Sequence, residues 1–179
     1  MMTAPVPGAP RDPSGRGERE RAVYRFLDSL GISYCRLDHP AAATMEDCAA
    51  IEAVLGRPIV KNLFLTNRQH TAYYLLLLRG DKPFRTKDLS AQIGSARLSF
   101  ASAEEMERLL GTTPGSASIL GLMHDREGEV TLLVDRDILS LSEIGVHPLV
   151  NTATLGISVN DLLGTFLPAV CHTHLPVVL

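Results

Sequence analysis

The chain has little excess charge of either sign, and this excludes attraction of nucleic acid by an overall positive charge. Seventeen lysines and arginines stand against 20 aspartates and glutamates, for a formal net charge of −3 over 179 residues. No global basic field therefore attracts nucleic acid, and any contact with RNA has to be local, through a patch of cations. The length favours one domain with a substantial core.

Cysteines and long hydrophobic runs are also scarce. Cys35, Cys48 and Cys171 form neither a CxxC motif nor a disulfide framework, which is typical of a protein of the reducing cytoplasm. The longest purely apolar run, residues 72–78, is too short to cross a bilayer, so no membrane contact is expected. Residues 1–17 are rich in Pro, Gly, Arg and Ala without a signal-peptide core, and predict a disordered lead-in.

The common catalytic and nucleotide-binding signatures are missing. The sequence has no P-loop, no GxGxxG and no HExxH, and the order of its residues reveals no Ser-His-Asp arrangement. The segment Cys171-His172-Thr173-His174 contains zinc-ligand residue types, but it lies in a proline-containing tail without a second ligand pair. We therefore expect no metal and no cofactor.

Helical and strand-like patterns are interspersed along the chain. Capping-box patterns at Thr44, Ser102 and Ser158 open three of the predicted helices. Helices are predicted over residues 18–30, 44–55, 86–93, 102–110 and 158–166, and strands over residues 32–37, 59–65, 71–78, 130–134 and 146–157.

This order predicts an α+β (mixed α/β) fold with a single domain over residues 18–168. We expect a central, mixed, largely antiparallel sheet flanked by helices. Residues 59–65 and 71–78 are close enough in sequence to form a hairpin. Residues 169–179 are expected to be a C-terminal tail.

Lysine is rare here, with three residues against fourteen arginines, and one of the three lies inside an apolar run. Lys61 and Asn62 interrupt the predicted buried strand at residues 59–65, where an ammonium and an amide both need polar partners. Their side chains point to opposite faces of the strand. The alternative is a lysine whose stem packs while its amine reaches solvent.

Three further segments carry polar groups that packing does not require. Residues 114–118, Pro-Gly-Ser-Ala-Ser, could bring backbone N–H groups close to a ligand as an oxyanion hole, although a plain surface turn is the alternative. Residues 147–154 offer an imidazole, an amide and hydroxyls, or else form an edge strand with a solvated face. His39 precedes a helix N-terminus that could hold a carboxyl or phosphate group, or be a simple cap.

One local basic stretch could contact the phosphates of a tRNA. It contains one acid, Asp81, and such a stretch can equally be a solvated face. Its cations are Arg79, Lys82, Arg85 and Lys87.

Taken in order, residues 59–65, 115–118 and 147–154 resemble the YbaK-like, prolyl-tRNA-synthetase-associated domain family. The resemblance covers residues 21–167 and is strongest to the freestanding prolyl-tRNA deacylases of the ProX (PrdX) type. It implies the fold of that family and hydrolysis in trans of a wrongly attached amino acid, most often alanine on proline tRNA. The implied partners are the acceptor end of tRNA and prolyl-tRNA synthetase, in the cytoplasm.

The resemblance also implies roles for individual residues. Lys61 would be the catalytic lysine, and the loop of Gly115, Ser116, Ala117 and Ser118 would shape the pocket around the aminoacyl group. Asn62, His147 and Asn151 would line that pocket. The family loop usually reads Gly-x-x-x-Pro, whereas Ile119 occupies the fifth position here, which leaves the amino-acid selectivity open.

Two other readings of the residues stay open. A non-catalytic module of the same fold could dock on tRNA or on a synthetase, and Ile119 gives this alternative some weight. A metal-dependent hydrolase would have to use the terminal cysteine and histidines. The sequence does not distinguish a monomer from a homodimer.

Overall fold

Nine strands form two sheets in the residues that the computed structural model describes, which are 2, 4–42 and 44–179, with the backbone alone at position 45. The strands are β1 (Val6–Pro7), β2 (Tyr34–Asp38), β3 (Val60–Asn67), β4 (Tyr73–Arg79), β5 (Leu98–Phe100), β6 (Val130–Asp135), β7 (Glu143–Val146), β8 (Ala153–Ser158) and β9 (His174–Val177).

Helices connect these strands. The helices are α1 (Glu18–Ser29), α2 (Met45–Leu55), α3 (Thr86–Ile93), α4 (Ala103–Leu110), a 3-10 helix (Ile119–Met123), α5 (Arg136–Leu139), α6 (Val159–Asp161), a π-helical turn (Leu162–Phe166) and α7 (Leu167–Ala169). The last three are consecutive and form one helical segment, 159–169.

The four-stranded sheet has the order β1-β2-β8-β7 and is antiparallel throughout. The five-stranded sheet has the order β5-β3-β4-β6-β9. In it β3 runs antiparallel to β4 and β5, whereas β4, β6 and β9 are parallel to one another. A parallel bridge between Ile59 and Gly145 joins the two sheets, and the Gly145 N–H donates to the Pro58 carbonyl at 2.8 Å.

Both faces of the five-stranded sheet are buried. Leu75 and Leu132 face a core shared with α1 and the four-stranded sheet, whereas their neighbours Leu76 and Leu133 face a second core beneath α3. Burial on both faces explains why residues 72–78 read as a continuous apolar run rather than as an alternation.

Local sequence signals open and close the helices as predicted. Thr44 and Asp47 form a reciprocal capping box at the start of α2, and Ser102 and Glu105 form another at the start of α4. Gly56 follows α2 in the left-handed conformation that glycine adopts without strain.

The predicted fold class and the β3–β4 hairpin are confirmed, but the strands form two sheets where one central sheet was predicted. The segment predicted as a disordered lead-in contributes β1, and Arg16 forms an ion pair with Asp38 at 2.7 Å. The segment predicted as a tail contributes β9, which pairs with β6. These strands are short and add to a sheet through their backbone, so their side chains give little periodic signal. In the described part of the chain, no helix combines the length and the apolarity that a membrane crossing requires.

Candidate active site

A cavity of about 650 Å³ lies beside the open part of one edge of β3. On that edge β5 pairs only with residues from Leu65 onward, so the preceding half of β3 borders the cavity. The lining residues are Cys48, Ala49, Glu52, Pro58, Ile59, Val60, Lys61, Asn62, Leu63, Phe64, Arg79, Gly80, Asp81, Phe100, Ala101, Met106, Pro114, Gly115, Ala117 and His147. Three predicted segments, at residues 61–62, 114–117 and 147, therefore converge on one site.

Lys61 is held at both ends of its side chain. Its backbone belongs to β3, and its partly buried ammonium donates a hydrogen bond to the carbonyl oxygen of Lys82 at 2.8 Å. The amine is therefore bound at the cavity wall rather than free in solvent. The catalytic role of Lys61 remains a prediction.

Asn62 connects β3 to the loop on the opposite side of the cavity. Its Oδ1 accepts the Ile119 N–H at 2.8 Å, and its Nδ2 donates to the Val60 carbonyl at 3.2 Å. Because one partner can only donate and the other can only accept, these two bonds set the orientation of the amide. Proline, the residue usual at position 119 of the family loop, has no N–H and could not make the first bond.

The loop at residues 114–118 lines the cavity through Pro114, Gly115 and Ala117 and not through its two serines. Gly115 has a φ of 86° and lines the cavity together with Ala117. Ser116 and Ser118 are buried instead, and the Ser118 hydroxyl accepts the Leu120 N–H at 3.2 Å.

Within the loop, the Ser116 N–H donates to the Thr113 carbonyl at 3.0 Å, and the N–H groups of Ile119 and Leu120, at the start of the 3-10 helix, are also bound inside the protein. Among the described residues, the N–H groups of Gly115, Ala117 and Ser118 have no such partner, and of these three residues Gly115 and Ala117 line the cavity. The two predicted serines, Ser116 and Ser118, shape the loop from behind.

His147 lines the cavity, and a hydrogen bond defines its tautomer. Its Nδ1 lies 2.9 Å from the Ala153 carbonyl, and since a carbonyl only accepts, Nδ1 carries the proton. In the neutral ring, Nε2 therefore holds the lone pair. Burial lowers the pKa of His147, the bond to Ala153 opposes this, and nearby His39 lowers the pKa further.

His39 lies directly behind His147, with 6.0 Å between the ring centroids. Its Nδ1 donates to the Pro40 carbonyl at 2.7 Å, and its Nε2 lies 2.9 Å from the Thr154 hydroxyl. That hydroxyl lies 3.4 Å from Nδ1 of His147. His39 is thus buried in a hydrogen-bonded network behind the site and is not placed to hold an anion at the start of α2.

Asn151 lies beside the loop and is not among the residues that line the cavity. A Cβ atom added to Gly115 would lie 3.8 Å from Nδ2 of Asn151, so the two residues are neighbours. The Asn151 carbonyl accepts the Ala42 N–H at 2.9 Å, which joins the segment after β7 to the segment after β2. The predicted contact of Asn151 with substrate remains a prediction.

The predicted basic stretch is partly neutralised by acids. Arg79 makes two hydrogen bonds to Asp81, both at 3.0 Å, and these lower the pKa of Asp81. The ammonium of Lys82 forms ion pairs with Asp135 at 2.5 Å and Asp137 at 2.7 Å. A phosphate contact through Lys82 would compete with two carboxylates.

Arg85 and Lys87 are exposed, and within the described residues neither has an ion-pair partner. They are the two members of the stretch whose charge is free for a phosphate. The contact of this stretch with tRNA remains a prediction.

Sequence reasoning missed several residues of the cavity wall. Glu52 of α2 accepts the Ile59 N–H at 2.9 Å, and Phe100 lies at the end of a three-residue strand that no periodicity reveals. Cys48 also lines the cavity, and burial raises the pKa of its thiol. In the described part of the chain, no group of three histidines, cysteines or acids is arranged to hold a metal ion.

The terminal cysteine and histidines occupy separate environments. Cys171 is exposed, whereas His172 is buried and its Nε2 lies 3.3 Å from an oxygen of Asp125. His174 begins β9.

The fold and the site together define a class: a mixed α/β protein with a cavity lined by a lysine, an asparagine, a histidine and a glycine-containing loop. The model of the aminoacyl-tRNA editing domain family matches residues 39–165. The prolyl-tRNA editing protein ProX of Acetoanaerobium sticklandii is 34% identical over 145 residues, which are 81% of this chain and 88% of that protein.

Two further proteins are similar over most of the chain. The prolyl-tRNA synthetase associated domain-containing protein 1 of Danio rerio is 33% identical over 161 residues, or 89% of this chain and 85% of that protein. A crystal structure of a protein described as a candidate trans-editing enzyme for prolyl tRNA synthetase superposes with a TM-score of 0.69. It covers 90% of this chain and 96% of its own at 20% identity, a likeness that shows the fold. The chain belongs to the aminoacyl-tRNA editing domain family, as its motifs predict.

Proposed function

We propose that this protein is an aminoacyl-tRNA deacylase that acts in trans, hydrolysing mischarged tRNA and above all alanyl-tRNA(Pro). The names of the relatives support the class of reaction. The observation that carries the proposal is the convergence of Lys61, Asn62, His147 and the loop at residues 114–117 on one cavity. These segments are distant in sequence, and packing does not require their polar groups to meet.

The proposed reaction is the attack of water on the carbonyl carbon of the aminoacyl ester. A bond forms between the water oxygen and that carbon, and the bond from the carbon to the ribose oxygen breaks. The proton released by the water passes to the ribose oxygen, which leaves as a hydroxyl. The products are the free amino acid and uncharged tRNA, and no metal, cofactor or covalent intermediate is required.

The residues of the cavity have distinct proposed roles. Lys61 holds the carbonyl or a phosphate of the terminal nucleotide through its charge. The free N–H groups of Gly115 and Ala117 stabilise the oxyanion, for which one well-placed donor contributes about 2.7–4 kcal/mol. Nε2 of His147 accepts a hydrogen bond from the attacking water or from the vicinal ribose hydroxyl, which assists the proton transfer.

Selectivity for a small amino acid would come from size. One methylene in an apolar pocket changes a rate only about 10–200-fold, so a synthetase cannot reject a smaller amino acid well by itself. A second protein that admits the smaller group and excludes the larger one removes the error. Ile119 has no exposed surface and fixes Asn62, so it acts on the shape of this pocket from behind.

A tRNA acceptor end is the proposed substrate, and prolyl-tRNA synthetase a proposed partner, in the cytoplasm. Arg79, Lys82, Arg85 and Lys87 remain proposed tRNA contacts, with Arg85 and Lys87 the freest. The alternative function is a non-catalytic module that binds tRNA or a synthetase. The departure at Ile119 from the usual loop motif favours this alternative.

A panel of charged tRNAs tests the proposal. Purified protein is incubated with alanyl-, prolyl-, seryl- and cysteinyl-tRNA in the presence of a chelator, and ester hydrolysis is followed. We expect hydrolysis of alanyl-tRNA(Pro) above the spontaneous rate, and its loss in Lys61→Ala. Binding of tRNA without hydrolysis of any member of the panel would contradict the deacylase and support the non-catalytic binding module.

A further inference from the structure

Two exposed arginines lie side by side at the edge of the five-stranded sheet. The β3–β5 ladder ends at the pair Asn67 and Leu98, and the residue just beyond each strand is an arginine, Arg68 after β3 and Arg97 before β5. Both arginines line one surface depression, together with His70 and Ser99. Within the described residues, neither arginine has an ion-pair partner.

Such a pair is unfavourable for the protein alone. Like charges on adjacent positions of paired strands repel each other and destabilise the pairing. The nearby carboxylate of Glu105 accepts hydrogen bonds from His70 at 2.6 Å and from the Tyr73 hydroxyl at 2.9 Å, and within the described residues it forms no ion pair with either arginine. A bound anion would relieve this repulsion, and two guanidinium groups fit a phosphodiester well.

The same short strand connects this pair to the cavity. Phe100, three residues after Arg97, is 62% exposed and lines the cavity. Three residues of extended strand span about 10 Å at about 3.3 Å per residue. By strand alternation the side chains of Arg97 and Phe100 leave opposite faces, so an RNA that contacts both has to cross the free edge of β5, the outermost strand of its sheet. Cations together with an exposed aromatic ring are the groups by which proteins bind single-stranded nucleic acid, with a base stacked on the ring.

We propose that the β5 rim, formed by Arg68, Arg97 and Phe100, carries the single-stranded 3′ end of tRNA into the cavity. The two arginines bind a backbone phosphate, and Phe100 stacks with a base next to the terminal adenosine. This surface is separate from the stretch at residues 79–87, where two of the four cations are paired with acids. The inference rests on the proposed function, because an aminoacyl ester bound in the cavity determines that the 3′ end of the RNA is the end that enters it.

Single-turnover hydrolysis of alanyl-tRNA(Pro) at several salt concentrations tests the rim. The double variant Arg68→Gln/Arg97→Gln should raise the protein concentration for half-maximal rate about tenfold, with the maximal rate unchanged. Loss of the one neutralised phosphate of single-stranded RNA should reduce the salt slope by about 0.7. Phe100→Ala should weaken binding as well, and Phe100→Tyr should restore it because the ring is kept.

Arg11→Gln/Arg126→Gln is the matched control, because it removes the same charge from two exposed arginines that also lack ion-pair partners among the described residues. If the wild type is active and the rim variant and the control need the same protein concentration for half-maximal rate, the rim proposal is overturned and the proposed deacylase activity stands. If the rim variant no longer binds purified prolyl-tRNA synthetase but binds tRNA as the wild type does, the rim is a protein-binding surface, and the proposal that it binds RNA is overturned. If the wild type hydrolyses no ester, the deacylase fails, and binding of uncharged tRNA by the same variants still decides the rim.

Discussion

Lys61 illustrates how a strand and a loop together fix one cation. The strand places its Cα at the open edge of the sheet, and the Lys82 carbonyl holds its ammonium at 2.8 Å. A side chain as long as lysine has many rotamers, and restricting them before the substrate binds lowers the entropy cost of catalysis. The side-chain entropy of Lys61 is therefore lost once, when the protein folds, and not at each turnover.

His147 gives a pH prediction at the same scale. Its pKa lies below the ordinary value of 6.5, so the ring is neutral at neutral pH and Nε2 can accept a hydrogen bond. The rate of ester hydrolysis should be level above pH 6.5 and fall as the pH drops through the lowered pKa, because protonation removes the acceptor. Steady-state kinetics against pH measures this, and His147→Gln should lack the acid limb. An unchanged acid limb in that variant would assign it to another group.

Ile119 provides a second prediction for a single residue. Ile119→Pro removes the N–H that holds Asn62, in a 3-10 helix whose first position accepts the proline ring. We expect a loss of stability about 0.5–1.5 kcal/mol larger than in Ile119→Val, which keeps the N–H. Urea unfolding of the two variants measures this difference. Equal values for both variants would show that the bond to Asn62 is without consequence.

At the scale of elements, the segment between β4 and α3 connects the site to the end of the chain. The Lys82 carbonyl binds Lys61, while its ammonium binds Asp135 at the end of β6 and the Leu179 carbonyl at 2.7 Å. Burial opposes the charge on Lys82, yet the two carboxylates raise its pKa. The C-terminal residue Leu179 therefore helps to hold the wall on which the Lys61 ammonium rests.

Lys82→Met tests this connection. It leaves the buried carboxylate of Asp135 without its cation, so the free energy of unfolding should fall by about 3 kcal/mol. Lys87→Met, a change of the same type at an exposed lysine, should stay within about 0.5 kcal/mol of the wild type in the same urea titrations. A difference of less than 1 kcal/mol between the two variants would refute the connection.

The helices could be predicted from the sequence because their signals are local. Thr44 with Asp47, and Ser102 with Glu105, lie three residues apart and mark helix starts without reference to the rest of the chain. The division of strands between two sheets could not be predicted, since pairings such as β2 with β8 join residues more than one hundred positions apart. Side-chain periodicity indicates which face of a strand is buried, but it does not indicate which other strand pairs with it.

The site shows the same limit. The loop and motif residues Lys61, Gly115 and His147 could be predicted from residue type and resemblance. Phe100 could not be predicted, because β5 has only three residues and shows no periodicity. The partner of Lys61 could not be predicted either, because it is a backbone carbonyl, which is present whatever the residue type at position 82. The roles of Ser116 and Ser118 as supports follow from their burial, which the letters do not reveal.

At the scale of the whole molecule, several carboxylates are ionised more readily in the folded state than in the unfolded chain. Burial works to raise the pKa of Glu105, but the hydrogen bonds from Ser102, His70 and Tyr73 lower it to about 2. The Arg16 guanidinium likewise lowers the pKa of Asp38. Groups of this kind stabilise the folded state above their unfolded pKa, and the contribution is lost as the pH falls.

The stability of the protein should therefore fall in acid. For Glu105 the loss begins near its unfolded pKa of 4.5 and continues towards about 2. Glu105→Gln, which keeps a capping side chain but does not titrate, should show a shallower fall between these pH values in urea titrations. A fall of the same steepness in this variant would remove Glu105 from the account of acid stability.

The central claim is that Lys61 acts in ester hydrolysis within the cavity beside β3. Single-turnover hydrolysis of alanyl-tRNA(Pro) by the wild type, Lys61→Met and the surface control Arg126→Gln tests it most directly. Removal of one stabilising donor costs about 10²–10³ in rate, so we predict a loss of that size in Lys61→Met and the wild-type rate in Arg126→Gln. Equal maximal rates for the wild type and Lys61→Met would contradict the claim.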